Sequence, residues 1–305
     1  MNKLITYTRH LIVAGFLLAT GSATAQYYSN APALLQPSGT MYFQNQYLAN
    51  PAMAGIDTGL HINAAHRRQF NGIEGAPITT FFTADGAFGN RGAAGLNIFS
   101  DKAGLLNRTR VALSYAYHMP MNDRGQYLHF GMSVAVNNQR VSYYGLDGDW
   151  NDPSLAAFNR REDYFEGEFG MAYTNQHLTV QAALPNLRSL FSGTSRGVDE
   201  GSIGFAAVSY RFNLEGTVGS IEPKVSYRSI KGFDDIIDAG LNITFLDNAA
   251  SLMGMYHSSG SVTGGIGVRF FKTAGLQFLY TTQTKGAKTN IDGMYELGVR
   301  VDLFQ

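Results

Sequence analysis

The strongest constraint on this chain is a period-two alternation of apolar and polar residues, held for about ten residues at a time and repeated along its length. In the last run, Tyr295, Leu297, Val299, Val301 and Leu303 share one strand face, and Glu296, Gly298, Arg300 and Asp302 share the other, because side chains alternate across a strand. Leu128, Phe130, Met132, Val134 and Val136 likewise alternate with His129, Gly131, Ser133, Ala135 and Asn137. Ile237, Ala239, Leu241, Ile243 and Phe245 oppose Asp238, Gly240, Asn242 and Thr244. Roughly fourteen such runs start near residues 60, 78, 92, 107, 126, 164, 177, 202, 220, 236, 249, 261, 274 and 293. Each is about 9–12 residues long, enough for a tilted strand to cross a bilayer, whereas soluble strands average about 5–6.

The expectation is an all-β chain: a transmembrane antiparallel up-and-down β-barrel of about 14 strands, within a range of about 12–16. A soluble multi-strand sandwich, with its core on the same alternation, is the competing architecture. Mean hydropathy is −0.11, and only 15% of the 305 residues are charged. An apolar outside averaged with a polar inside gives such a value. Lys+Arg and Asp+Glu both number 23, which excludes nucleic-acid binding through overall basicity. With no cysteine, disulfides, thiol nucleophiles and cysteine metal sites are excluded.

Residues 1–25 read as a cleaved secretory signal. Lys3, Arg9 and His10 precede the apolar run Leu11–Ala19, and Ala23-Thr24-Ala25 supplies an A-x-A site before Gln26. Residues 26–50 read as a periplasmic arm or plug, Pro32 and Pro37 opposing regular structure, and residues 51–305 as the barrel. Gly131, Gly170, Gly204, Gly240, Gly265, Gly267 and Gly298 are expected on the inner face, relieving crowding where the sheet curves. Tyr115, Tyr117, Tyr127, Tyr227, Phe245 and Tyr280 suit interfacial girdles. Residues 140–163 and 193–201 read as longer loops at one barrel end.

Catalytic and metal motifs are weak. Asp147, Asp149 and Asn151 have the 1-3-5 spacing of a calcium loop, but Asp152 and Phe158 stand where an EF-hand needs Gly and Glu. A looser calcium site and a solvated loop stay open there. Glu162, Asp163, Glu166 and Glu168 crowd near Arg160 and Arg161 and read as paired lumen charges rather than acid–base machinery. The seven histidines include no HExxH and no i,i+4 pair, so no metal or other cofactor is expected. Gly264-Gly265-Ile266-Gly267 lies within a strand and cradles no nucleotide. The chain reads as a non-enzyme.

One block is more specific. Tyr47-Leu48-Ala49-Asn50-Pro51-Ala52-Met53-Ala54-Gly55 is followed by Arg67-Arg68-Gln69-Phe70-Asn71-Gly72-Ile73-Glu74-Gly75-Ala76-Pro77-Ile78-Thr79. Gly95–Gly104, containing Asp101, and Ser114–Tyr117 come next. The block resembles the PorP/SprF family of Bacteroidetes outer-membrane proteins of the type IX secretion system. Asn50, Pro51, Ala52, Ala54 and Gly55 match its N-P-A-x-A-G signature. Arg67, Gln69, Gly72, Gly75, Pro77 and Thr79 match its R-x-Q-W-x-G-x-x-G-x-P-x-T segment, with Phe70 in place of the usual Trp. The motifs cover about residues 45–155; beyond them strand pattern and length carry the likeness, and Gln305 follows the C-terminal aromatic Phe304.

The resemblance implies an outer-membrane accessory barrel supporting secretion or surface attachment of a large adhesin-like protein. It also implies contact with periplasmic secretion components and outer-membrane lipid, with gliding motility as a context. From the residues themselves, Asn50-Pro51 favours an extended or turn geometry, Gly55 suits a positive φ, and Arg67 is placed to pair with Glu74 or another lumen carboxylate. Barrel-start architecture and partner docking both remain open for this block. A passive channel or small-molecule transporter, and an outer-membrane hydrolase, are the alternative functions.

Overall fold

Lipid offers the backbone no hydrogen-bond partner, so strands that cross a membrane must be paired on both edges. The computed structural model meets this condition. It describes residues 38–69, 75–142, 163–187, 203–230, 234–270, 273–282 and 293–304. The expected signal segment, Gly72, Glu74 and the Asp147–Asp152 loop lie outside the described residues, as do Arg160, Arg161 and Glu162.

The strands are β1 (Leu60–Arg68), β2 (Ile78–Phe88), β3 (Gly92–Ala103), β4 (Leu106–Asn122) and β5 (Gln126–Val141). Next come β6 (Tyr164–Thr174), β7 (Leu178–Leu184), β8 (Ile203–Tyr210), β9 (Phe212–Asn213) and β10 (Val218–Ile230). The last five are β11 (Ile236–Phe245), β12 (Ala250–His257), β13 (Val262–Phe270), β14 (Ala274–Thr281) and β15 (Met294–Leu303). The two-residue β9 continues β8 past Arg211, pairing with Ser220 and Ile221 of β10, so the wall has fourteen staves. Neighbours in sequence are antiparallel neighbours in the sheet, and β15 closes on β1 from Leu60↔Leu303 to Arg68↔Tyr295. The strand starts fall within about two residues of those the alternation predicts.

The alternation sorts as a membrane barrel requires. Leu113 and Val134, cross-strand neighbours, are 67% and 63% exposed on the outer face. Glu222, Lys224, Ser226 and Arg228 are buried on the inner face of β10. This is the reverse of a soluble sandwich, whose apolar face would be covered. One glycine departs from expectation. Gly204 faces outward, because Phe205, Ala207 and Ser209 are the buried positions of β8.

Connections 89–91, 123–125, 175–177 and 246–249 are short and share one rim, which also carries the start of β1 and the end of β15. The longer connections, 69–77, 142–163, 185–202 and 282–293, share the other. Barrels of this class put short turns on the periplasmic side and longer loops outside.

A fourteen-strand wall is too wide for its own side chains to fill. Residues 38–59 cross the lumen instead, as a short helix Thr40–Phe43 and two 3₁₀ turns, Gln46–Leu48 and Pro51–Met53. The segment runs from the loop rim, where Gly39 approaches Thr263 and Leu279, to the turn rim, where it enters β1. Leu113→Arg is expected to cost about 2–4 kcal/mol if its site lies near the bilayer midplane. Reversible unfolding in lipid vesicles measures that loss.

Candidate functional site

The site is the contact between this lumenal segment and the inner wall. Inward apolar residues are few in such a barrel, and here they mark where the segment rests. Phe205, Met253, Met255 and Leu279 pack with Met41 and Tyr42 in one buried cluster. Under the second half the wall turns small. A Cβ at Gly131 would overlap the Ala52 backbone, and one at Gly170 the Asn50 side chain. Gly131 and Gly170 therefore make room for the plug, a more specific role than easing sheet curvature.

Polar contacts fasten the segment along its whole length. At the loop end Glu296 accepts from Gly39 N (3.0 Å), Thr40 N (3.2 Å) and Ser38 Oγ. Tyr42 donates its hydroxyl to Asp238 Oδ2 at 2.9 Å. Asp238 is fully buried and also receives Arg228 Nε at 2.9 Å, with His257 Nδ1 at 2.6 Å from its other oxygen. Burial pushes the Tyr42 phenol well above its usual pKa, so it stays a neutral donor. Lys224 Nζ donates to the Tyr42 carbonyl and to Gln46 Oε1 (2.8 Å). Further along, Asn45 Nδ2 reaches Thr83 Oγ1 at 2.8 Å, and the Tyr47 hydroxyl meets Ser114 Oγ at 2.7 Å.

The N-P-A-x-A-G residues form the end nearest the turn rim. Asn50 is extended (φ −152°, ψ 116°), as a residue before proline must be, and its Oδ1 caps the 3₁₀ turn by accepting from Ala52 N at 2.9 Å. Its amide donates to the Met171 and Ala182 carbonyls at 3.1 and 3.3 Å. Pro51 is buried at the first position of that turn. Gly55 takes φ +62°, a Cβ there would collide with Ala93 and the Gly86 backbone, and its N–H donates to Asp85 Oδ2 at 2.8 Å. The His118 ring donates from Nε2 to the Ala54 carbonyl at 3.1 Å.

The second motif sits at the opposite rim, in the β1–β2 hairpin. Arg67 is buried beside its cross-strand neighbours Glu296 and Thr79. Its Nη2 donates to Thr79 Oγ1 (3.2 Å), which donates to Asp101 Oδ1 (2.7 Å). Glu296 thus lies opposite Arg67 and also holds the start of the plug. Gln69 is buried, its N–H extending the hairpin to the Pro77 carbonyl at 3.0 Å. The expected sites therefore divide: Asn50, Pro51 and Gly55 in the plug, Arg67, Gln69, Pro77 and Asp101 at the loop rim.

The charges read as a lumen cluster also find partners. Arg110 Nη2 pairs with Glu168, and its Nε lies 3.7 Å from Glu166. Sequence reading missed Tyr42, Asp85, Asp238, His257 and Glu296 as plug contacts. The signal was present for the wall residues, which fall on polar strand faces. Nothing local in the sequence marks Tyr42 as the residue that reaches Asp238. His118 and His129, eleven positions apart, become cross-strand neighbours with Nδ1 atoms 2.7 Å apart, a pair that i,i+4 spacing rules do not find. Among the described residues no three His, Cys, Asp or Glu side chains gather as a metal site.

A closed antiparallel barrel with an apolar exterior and a polar interior is an outer-membrane barrel, here with a segment of its own chain packed in the lumen. The chain belongs to the family described as type IX secretion system membrane protein PorP/SprF, matched over residues 32–301. Fold comparison adds the Ralstonia pickettii toluene transporter TbuX, with TM-score 0.54 and 13% identity over 85% of this chain and 94% of that one. The monoaromatic hydrocarbon channel CymD has TM-score 0.51 and 12% identity over 87% and 94%. At these identities the likeness concerns the fold alone. No curated protein matches the chain. Family and fold together make this an outer-membrane barrel associated with type IX secretion.

Asp238→Ala is expected to destabilise by about 3–5 kcal/mol, since it breaks the buried Arg228–Asp238 ion pair. Tyr42→Phe, removing one hydrogen bond, should cost nearer 1 kcal/mol. Denaturant unfolding of the two variants checks that order. Gly55→Val is expected to loosen the plug while the wall persists, seen as faster proteolysis after residue 38 in a protein that keeps its barrel mobility on gels.

Proposed function

We propose that this barrel is an outer-membrane accessory of type IX secretion that supports the export or surface attachment of a large adhesin-like protein. Periplasmic secretion components would be its other contacts, and gliding motility its context in a host that glides. The observation that carries this reading, with the family membership, is the lumen occupied by its own chain, which is bonded to the wall from Glu296 to Asp85. An open porin keeps a water-filled lumen, and here much of that space is taken by the chain itself. An anchoring barrel gains a stiff core from such contacts.

Small-molecule passage is the second reading, favoured by the fold shared with a toluene transporter and a hydrocarbon channel. A hydrolase finds less support. His257 does lie between Asp238 and Thr263 Oγ1, at 2.6 and 2.8 Å, in the order of a catalytic triad. Thr263 is only 2% exposed, and its hydroxyl is shared with Thr281 at 2.7 Å. That arrangement suits a buried network.

Two measurements separate the readings. Wild-type protein in planar bilayers is expected to conduct little, with conductance rising in Gly55→Val. Affinity purification from solubilised outer membranes is expected to recover a large surface protein with the barrel. A steady, porin-sized wild-type current with the barrel recovered alone would overturn the secretion reading.

A further inference from the structure

Among the described residues, two sizeable spaces lie between plug and wall. The one toward the turn rim, about 680 Å³, is lined by Asp57, His61, Arg211, Glu222, Arg269 and Arg300 among others, and is polar. The one toward the loop rim, about 190 Å³, is of another kind. Met41 and Leu48 of the plug form one wall, and Phe81, Phe99 and Phe205 of the barrel form the other. For scale, an apolar cavity of about 150 Å³ holds a benzene molecule.

The shape of this cleft suits a ring. Phe81 and Phe99 are tilted by 58° with centroids 5.2 Å apart, and aromatic groups prefer such tilted neighbours. The charged groups at its edge, Arg108 included, are already engaged, although the buried Arg108 Nε makes no hydrogen bond among the described residues. Glu166 accepts from Asn137 Nδ2 at 2.8 Å and from Asn186 Nδ2 at 3.0 Å, and Arg110 pairs with Glu168. A charged ligand would find no free counter-charge there and would lose its hydration. One acceptor among the described lining residues differs. Asn97 lines the cleft and is 8% exposed, and its Oδ1 has no hydrogen-bond partner among the described residues. A buried acceptor left unmade costs about 1–3 kcal/mol. The last torsion of an asparagine is broad, so the amide can turn its oxygen toward a donor in the cleft.

We infer that the loop-rim cleft is a binding site for a small, neutral aromatic ring that carries one hydrogen-bond donor, of the phenol or indole type. The ring packs between Leu48 and the Phe81–Phe99 pair, and its O–H or N–H donates to Asn97 Oδ1. The site stands independently of the secretion reading.

The test is calorimetric titration of the full-length barrel in lipid nanodiscs, with empty nanodiscs as the blank. The probes are phenol, indole, toluene and cyclohexanol. Phenol and indole are expected to bind saturably and to compete. Toluene, without the donor, and cyclohexanol, without the aromatic ring, are each expected to bind about tenfold more weakly, near the value of one hydrogen bond or one aromatic contact. Asn97→Leu should bring phenol down to the affinity of toluene, and Ala49→Trp should fill the cleft and abolish binding. The variants act independently, so either one decides if the other fails to fold. No saturable binding of phenol or indole would overturn the site. Toluene binding as tightly as phenol, or wild-type affinity in Ala49→Trp, would also overturn it.

Discussion

Pairing of the first strand with the last is the contact on which everything else rests. Without the β1–β15 ladder, from Leu60↔Leu303 to Arg68↔Tyr295, two edges of unpaired backbone would face lipid, at several kcal/mol for each unsatisfied group. Closure also fixes the lumen width. Fourteen staves enclose more space than inward side chains fill, so closing the wall leaves a lumen that either water or chain must occupy. Residues 38–59 fill much of it.

The filling solves an electrostatic problem as well. Inward carboxylates such as Asp238, Glu296 and Asp85 need donors once water is displaced. The wall supplies some, Arg228 and His257 among them. The plug supplies others, the Tyr42 hydroxyl and the N–H groups of Gly39, Thr40 and Gly55. Plug and wall therefore complete one another's hydrogen bonding. Neither reads as self-sufficient when considered alone.

Much of the wall was legible because its physics is local. Alternation every second residue needs only the sequence of one strand, and the starts at 60, 78, 126, 164, 236 and 274 follow from it directly. Gly204 was misplaced because Phe205 and Ala207, apolar yet inward, invert the usual sign of the two faces. That inversion was itself informative: Phe205, Met253, Met255 and Leu279 are inward because the plug lies on them. The site was less legible. Asn50, Pro51 and Gly55 have local conformational reasons for being what they are. Tyr42–Asp238 and Gly39–Glu296 join residues about two hundred or more positions apart, and no periodicity within a strand reports such a pairing.

The separation of Glu296 from the residues it holds has a consequence for assembly. Gly39 and Thr40 are made first, yet their acceptor lies 257 and 256 residues further on, in the last strand. Asp302, bound to His61 at 2.6 Å, is placed equally late. Contacts of such high sequence separation form slowly, since loop-closure entropy is lost before they contribute. The plug cannot complete its bonds until β15 arrives, and β15 arrives by zipping onto β1. The loop-rim end of the lumenal segment is thus fastened only by the strand that seals the cylinder, and a chain truncated before β15 forfeits both the Glu296 bonds and the closing ladder.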